Sequence, residues 1–142
     1  MDFLLQNAAN LNWWAVLLAV LSTFPIGWVW YDMKVGFGKQ WAKLVGLKES
    51  DMNGDGMVKT FTATTILALL TAILLAVILK AMGVVGLWES LGLGVVLGLV
   101  LRGGTHIMHN GFAKGPDALT FIDLGHDTLA IAVMCGILGI WG

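Results

Sequence analysis

The stretch from Thr60 to Leu79 runs for 20 residues without a charge, and this feature most limits how the chain can fold. An α-helix rises about 1.5 Å per residue, so such a stretch is long enough to cross the ~30 Å hydrocarbon layer of a bilayer. With 58% hydrophobic and only 12% charged residues, the chain also lacks the polar residues that would cover a water-soluble domain. The sequence therefore predicts an all-α, polytopic membrane protein.

Three more apolar stretches accompany this one, and the four predicted transmembrane helices lie at about residues 13–31, 60–80, 87–112 and 118–141. They nearly exhaust the 142 residues, so we expect a single membrane domain over 1–142. The first run is predicted to be a mature helix, because no basic region precedes it as it would in a secretion signal.

The distribution of lysines predicts the orientation. Six of the seven lysines lie in the connections between the first and second or the third and fourth predicted spans, and Lys80 alone marks the opposite side. The positive-inside bias then places both of these connections in the cytoplasm and both chain termini outside. Aromatic residues at the span ends, among them Trp28, Trp30 and Tyr31, are interpreted as anchors at the headgroup level.

A short interfacial helix is predicted at about residues 36–47. Phe37, Trp41 and Leu44 recur at helical spacing there, while Lys39 and Lys43 lie one turn apart on another face. Such an amphipathic segment is expected to lie on the inner leaflet, with Lys39, Trp41 and Lys43 at the lipid interface. Its lysines either hold anionic lipid or form a solvated face.

The connection before the second span contains half of a calcium-binding pattern. Asp51, Asn53 and Asp55 supply oxygen ligands at the first, third and fifth positions of such a loop. The ninth and twelfth positions are Lys59 and Thr62, although the twelfth should be a bidentate glutamate. We therefore favour an ordinary turn over a calcium site, and we expect no other cofactor.

Histidines and charges gather in the third and fourth predicted spans, where lipid surroundings make an unpaired charge costly. Arg102, His106 and His109 share one helical face of the third span. Asp123, His126 and Asp127 share one face of the fourth span.

A tight turn at residues 114–117 predicts that these two spans form an antiparallel hairpin. In straight helices, Arg102 then opposes Asp127, and His106 opposes Asp123. Arg102 would lie ten residues from the turn, about 15 Å deep and near the bilayer midplane.

Three roles for this cluster remain open. A structural network of ion pairs would fix the register of the hairpin. Alternatively, histidine beside carboxylate is typical of a proton or ion relay. Metal or haem ligation is the least supported role, because the histidine pair lacks the Glu-x-x-His partners of di-iron bundles and His106 opposes an aspartate rather than a second histidine.

Four motifs carry a family resemblance: Gly-Trp-Val-Trp-Tyr at 27–31, Phe-Gly-Lys-Gln-Trp at 37–41, Ile-Asp-Leu-Gly-His at 122–126 and the segment 136–141. Over almost its whole length the chain resembles the small bacterial membrane proteins grouped as domain of unknown function 1761. The resemblance implies four helices and the bacterial inner membrane, and it implies no activity. Asp32 departs from the family pattern, as does the calcium-like loop.

The sequence shows no nucleophile with its base, no nucleotide-binding glycine loop and no closed set of metal ligands, so we do not expect an enzyme. The favoured hypothesis is a non-enzymatic membrane subunit or scaffold that forms a homo-oligomer or binds other membrane proteins. The alternative is a small proton- or cation-coupled transporter or channel that uses the His/Asp/Arg cluster. The expected partners are the lipid bilayer and membrane proteins, and not nucleic acid.

Overall fold

A computed structural model describes residues 2–48 and 56–141 of the chain. Its elements are the helices α1 (Asp2–Ala9), α2 (Trp13–Trp30), α3 (Gly38–Val45), α4 (Gly56–Met82) and α5 (Leu87–Leu97), a π-helical turn (Gly98–Gly103), and the helices α6 (Gly104–Phe112) and α7 (Asp117–Trp141). Because α5, the π-helical turn and α6 are continuous, the described residues contain four helices long and apolar enough to cross a membrane. The all-α architecture with four spans is confirmed.

Two features near the N-terminus were not predicted from the sequence. Helix α1 precedes the first span and packs against α4. Helix α2 begins at Asn12, whose side-chain oxygen accepts hydrogen bonds from the backbone amides of Trp14 and Ala15 at 3.1 and 3.3 Å. This N-cap satisfies amide groups that the helix itself leaves without partners.

The apolar core lies between α2, α4 and α7, in the half of the bundle that contains the start of α2 and the end of α7. The residues that α2 buries there are alanines and valines, whose small side chains suit close packing of helices. The fully packed members are Ala15, Val16, Ala19 and Val20 on α2, Ala72, Leu75, Ala76 and Leu79 on α4, and Ile131, Met134, Cys135 and Leu138 on α7.

Helix α5 packs against another face of α7 through glycines. A Cβ atom at Gly94 would lie 2.7 Å from the Cα atom of Ala132, and one at Gly98 would lie 2.8 Å from the Cα atom of Thr128. Only glycine permits this approach, so the small-residue face of α5 is used for packing within the chain. Beyond Gly98 the helix widens into the π-helical turn.

Two contacts show how α2 and α7 lie side by side. The side-chain amide of Asn12 donates to the Trp141 carbonyl at one end, and the Trp30 indole donates to the Ile122 carbonyl at the other, at 3.1 Å. The 18 residues of α2 span about 27 Å at 1.5 Å per residue, which is close to the hydrocarbon thickness of a bilayer. The start of α7 and the end of α6 extend beyond the level at which α2 ends.

Helix α4 packs through its second half. Its buried residues begin at Ala72, whereas its first half exposes large apolar side chains, including Phe61, Leu67 and Leu70. The hydroxyls of the threonines in this half donate to carbonyls four residues earlier in the same helix, as in the 2.6 Å bond from Thr64 to Thr60. Such internal hydrogen bonds leave this half of α4 suited to an apolar environment.

Candidate functional site

The candidate site is built on two carboxylates of α7, Asp123 and Asp127, which lie one helical turn apart. They are carried by the part of α7 that contacts α2, α3 and α6. Besides His126 of α7 itself, the described donors that reach them come from the end of α2, from α3, from the π-helical turn and from α6, so the site joins most elements at this end of the molecule.

Asp127 is 9% exposed and receives three partners. Its Oδ2 atom lies 3.1 Å from Nε of Arg102 in the π-helical turn and 3.0 Å from Nε2 of His106 on α6. Its Oδ1 atom lies 3.1 Å from Nδ1 of His126, the preceding residue. A buried carboxylate needs such compensation, because losing its water without a partner is costly.

Asp123 is bound by a different set of side chains. Its Oδ1 atom accepts hydrogen bonds from the Tyr31 hydroxyl at 3.0 Å and from the Trp41 indole at 3.1 Å. Tyr31 ends α2 and Trp41 lies on α3, so this carboxylate attaches the interfacial helix to the bundle.

The side chain of His126 links the two carboxylate clusters. Its ring centroid lies 5.0 Å from that of Tyr31 and 6.3 Å from that of Trp30, while its Nδ1 atom contacts Asp127. Gly125 leaves space for the Trp30 ring, because a Cβ atom there would lie 2.9 Å from the indole. His126 therefore connects Trp30 and Tyr31, at the end of α2, to Asp127 and its partner Arg102.

A compact turn between α2 and α3 positions Trp41. The amide of Phe37 donates to the Trp30 carbonyl at 2.7 Å, and the Asp32 carboxylate accepts from the amides of Lys34 and Val35 at 2.7 and 2.9 Å. The hydrogen bonds from Val35 and Lys34 lower the pKa of the Asp32 carboxyl below its usual range.

The structure agrees with one predicted pairing and contradicts the other. Arg102 opposes Asp127, as the antiparallel register predicts. The prediction that His106 faces Asp123 is wrong, because His106 contacts Asp127 instead. The prediction assumed straight α-helices, whereas the π-helical turn adds a residue to one turn and changes how α6 faces α7.

The depth of the cluster also differs from the expectation of a midplane position. Tyr31, at the end of α2, contacts Asp123, and Asp127 lies only four residues further, about 6 Å along α7. Because the hairpin extends past the end of α2, its turn is a poor reference for depth. Asp127 and its partners therefore lie about one helical turn from the Tyr31 end of α2.

The remaining predicted residues are not all part of this network. His109 is exposed, and no side-chain hydrogen bond or ion pair engages it within residues 2–48 and 56–141. Lys39 and Lys43 are exposed on α3, as expected for an interfacial helix, whereas Trp41 is partly covered and bonded to Asp123.

Sequence reasoning missed the aromatic donors. Trp30, Tyr31 and Trp41 were interpreted as interfacial side chains, yet each donates a hydrogen bond to α7. A second missed contact is the 3.0 Å hydrogen bond from Asn110 to Thr120, which joins α6 to α7 near the turn. One sequence signal could have indicated these contacts. The chain carries the Trp-Tyr, Phe-Gly-Lys-x-Trp and Asp-x-x-His motifs together, and these are the motifs that meet at the site.

The described part of the chain shows no geometry that favours metal ligation. There, no group of three His, Cys, Asp or Glu side chains is arranged to hold an ion. The predicted calcium ligands Asp51, Asn53 and Asp55 lie outside the described residues.

Comparison with known proteins identifies the family. The model described as "Protein of unknown function (DUF1761)" matches residues 14–139, which is most of the chain and includes every residue of the two carboxylate clusters. The protein therefore belongs to this family. No curated protein and no solved structure matches the chain.

Proposed function

We propose that this member of the family is a non-enzymatic integral membrane subunit or scaffold, held in shape by the two carboxylate clusters of α7. The observation that carries the proposal is that both carboxylates are occupied by side chains from other parts of the chain. Asp127 receives Arg102 and His106, and Asp123 receives Tyr31 and Trp41. Such cross-links suit a rigid assembly unit, because breaking a buried pair leaves an uncompensated charge.

The first half of α4 supports assembly with other helices. It presents Phe61, Ile66 and Leu70 at more than half exposure, while the rest of the helix is packed against α2 and α7. We propose that this half contacts a second copy of the chain or another membrane protein of the bacterial inner membrane. Both termini then face outward, in accord with the lysine distribution.

Assembly is tested by changing the exposed half of α4. A tryptophan at Thr64 should disrupt the contact and shift the protein from an oligomer or complex to a monomer, as measured by cross-linking in native membranes and by native mass spectrometry. Val96→Trp is the matched control, because Val96 is close to Thr64 in size and is likewise exposed, but lies on α5. An unchanged assembly in Thr64→Trp, or equal loss in the control, contradicts the proposed interface.

One observation favours a second candidate, a proton- or cation-coupled transporter. His106, Asp127 and His126 form a chain of titratable groups with contacts of 3.0 and 3.1 Å, and the His106 side chain is 30% exposed. A histidine in contact with a carboxylate and open at one side is suitable for moving protons.

Flux measurements separate the two candidates. Purified protein is reconstituted in liposomes containing a pH-sensitive dye, and a potassium gradient with valinomycin drives protons. A scaffold gives the same flux as empty liposomes. Flux in the wild type that disappears in a folded Asp127→Asn variant supports the transporter and overturns the scaffold.

A further inference from the structure

The guanidinium of Arg102 has more hydrogen-bond donors than the structure uses. It approaches Asp127 through Nε, and the side chain is 42% exposed. Within residues 2–48 and 56–141, no hydrogen bond engages its two terminal nitrogens. A guanidinium carries five N–H donors in a planar fork, and leaving them without acceptors near lipid is costly. The free side of Arg102 therefore calls for an acceptor from outside the described chain.

Other polar nitrogens continue from Arg102 toward the turn. His106 and His109 follow at four and seven residues, which places them on the same helical face, and both are accessible. Asp127 is the described acid in contact with this face, and one of its oxygens is engaged by His126. The face thus offers hydrogen-bond donors to an anion, and the guanidinium among them is cationic.

This face begins about one helical turn below the expected level of the lipid headgroups. Asp127 lies about 6 Å along α7 from the contact between Tyr31 and Asp123, where α2 ends. Because a bilayer thins locally around an intramembrane arginine, a headgroup phosphate can reach the guanidinium while Nε stays on Asp127. His109 lies beyond Arg102 toward the turn, so the three side chains span the boundary between hydrocarbon and headgroups.

The surroundings are apolar, as a lipid requires. Leu101, Ile107 and Met108 flank the polar face and are 65%, 56% and 57% exposed. Apolar side chains beside a forked cation fit an amphiphile, with acyl chains against the helix and an anionic group at the guanidinium. A small hydrophilic anion would gain nothing from these leucine, isoleucine and methionine side chains.

We propose that Arg102, with His106 and His109, binds the phosphate of an anionic phospholipid in the leaflet that the turn between α6 and α7 faces. The terminal nitrogens of Arg102 donate to two phosphate oxygens while Nε stays on Asp127. His106 and His109 donate further hydrogen bonds to the same phosphate from the side nearer the turn. The acyl chains lie along the exposed apolar side chains of the third spanning helix.

Native mass spectrometry of the full chain tests the proposal, with phosphatidylglycerol and phosphatidylcholine competing in mixed micelles. The wild type should retain phosphatidylglycerol preferentially. In Arg102→Lys, one ammonium replaces the fork and remains paired with Asp127, so the affinity for phosphatidylglycerol should fall about tenfold while folding is kept. His109→Gln changes a side chain outside the Asp127 cluster and should weaken binding about threefold.

Lys34→Gln is the matched control, because it removes one exposed positive charge from the turn between α2 and α3. Its affinity for phosphatidylglycerol should remain that of the wild type. Equal affinity in the wild type, Arg102→Lys and His109→Gln overturns the site, and so does an equal loss in Lys34→Gln, which would indicate general surface charge. If Arg102→Lys does not fold, His109→Gln against Lys34→Gln decides the outcome.

A competition arm distinguishes a lipid headgroup from a free anion. Inorganic phosphate is added at millimolar concentration to the protein loaded with phosphatidylglycerol. Retention of the lipid supports the headgroup assignment. Displacement by inorganic phosphate shows that the site prefers a soluble anion and overturns it. This result is independent of the flux and assembly measurements that test the proposed function.

Discussion

His106 and Asp127 meet at 3.0 Å through Nε2 and Oδ2, the same oxygen that lies 3.1 Å from Nε of Arg102. Two donors one helical turn apart therefore share one acceptor atom, while His126 takes the other oxygen. The third and fourth spanning helices are held at this point by a polar cross-link rather than by apolar packing. Replacing any one member changes the environment of all the others, and this coupling is measurable.

Asp127→Asn and Arg102→Gln should each destabilise the protein in detergent by about 1–2 kcal/mol, because each leaves the partner's charge without compensation. The figure is modest because Arg102 is partly exposed. The double variant should lose less than the sum of the two single losses. Thermal unfolding followed by circular dichroism measures this double-mutant cycle. Additive losses would show that the contact contributes little to the fold.

Trp41→Phe should destabilise the protein by about 1–2 kcal/mol, because it removes the indole donor to the Asp123 carboxylate while keeping an aromatic ring. It should also make α3 more accessible to protease. Trp28→Phe is the control, since Trp28 is 74% exposed. Chemical unfolding measures the stability of both variants, and limited proteolysis measures the accessibility of α3. Equal stability and equal cleavage in the two variants would contradict the role of Trp41 in attaching α3.

Gly94→Leu should disrupt the packing of α5 on α7, because any side chain at this position meets the backbone of Ala132. The expected loss of stability is about 1–3 kcal/mol or more, as for other overpacked contacts. Gly92→Leu is matched to it on the same helix, because a Cβ atom at Gly92 meets nothing within 4 Å. The melting temperatures of the two variants are compared with that of the wild type. A similar decrease in both would show that the close approach of α5 to α7 at Gly94 is not the cause.

Asp32 should titrate below the usual carboxyl range, since the amides of Lys34 and Val35 stabilise its charged form. Its pKa is lowered on folding, so its contribution to stability is present above the unfolded pKa of about 3.9 and is lost as the pH falls through the folded value. Carbon-13 NMR of labelled aspartate measures the titration, with Asp32→Asn assigning the signal. A midpoint at or above the ordinary value would show that the turn does not form these bonds.

The number and approximate limits of the spanning helices followed from the sequence. Each apolar run must satisfy its own backbone hydrogen bonds in lipid, and a helix is the way that one segment does so. The opposition of Arg102 and Asp127 could also be predicted, because a short turn forces antiparallel neighbours and the two charges need each other.

The contacts of the other site residues could not be predicted in this way, because they depend on where non-adjacent helices meet. Asp123 was assigned to His106 on the assumption of straight helices, whereas Tyr31 and Trp41 bind it. Their indole and hydroxyl groups fit equally well at a headgroup interface, and sequence position alone does not distinguish the two environments. The π-helical turn, which changes how α6 faces α7, likewise has no clear pattern in the glycines around it.

The sequence by itself determined that this protein spans a membrane and which segments form the spanning helices, because both follow from local hydrophobicity. It also determined that the charges in these helices need partners, because an unpaired charge in lipid is costly. Only the tertiary structure decided which donor reaches which carboxylate and how deep the cluster lies. Those facts depend on the level at which α2 ends beside α7 and on a single widened turn, and both arise from packing between distant segments.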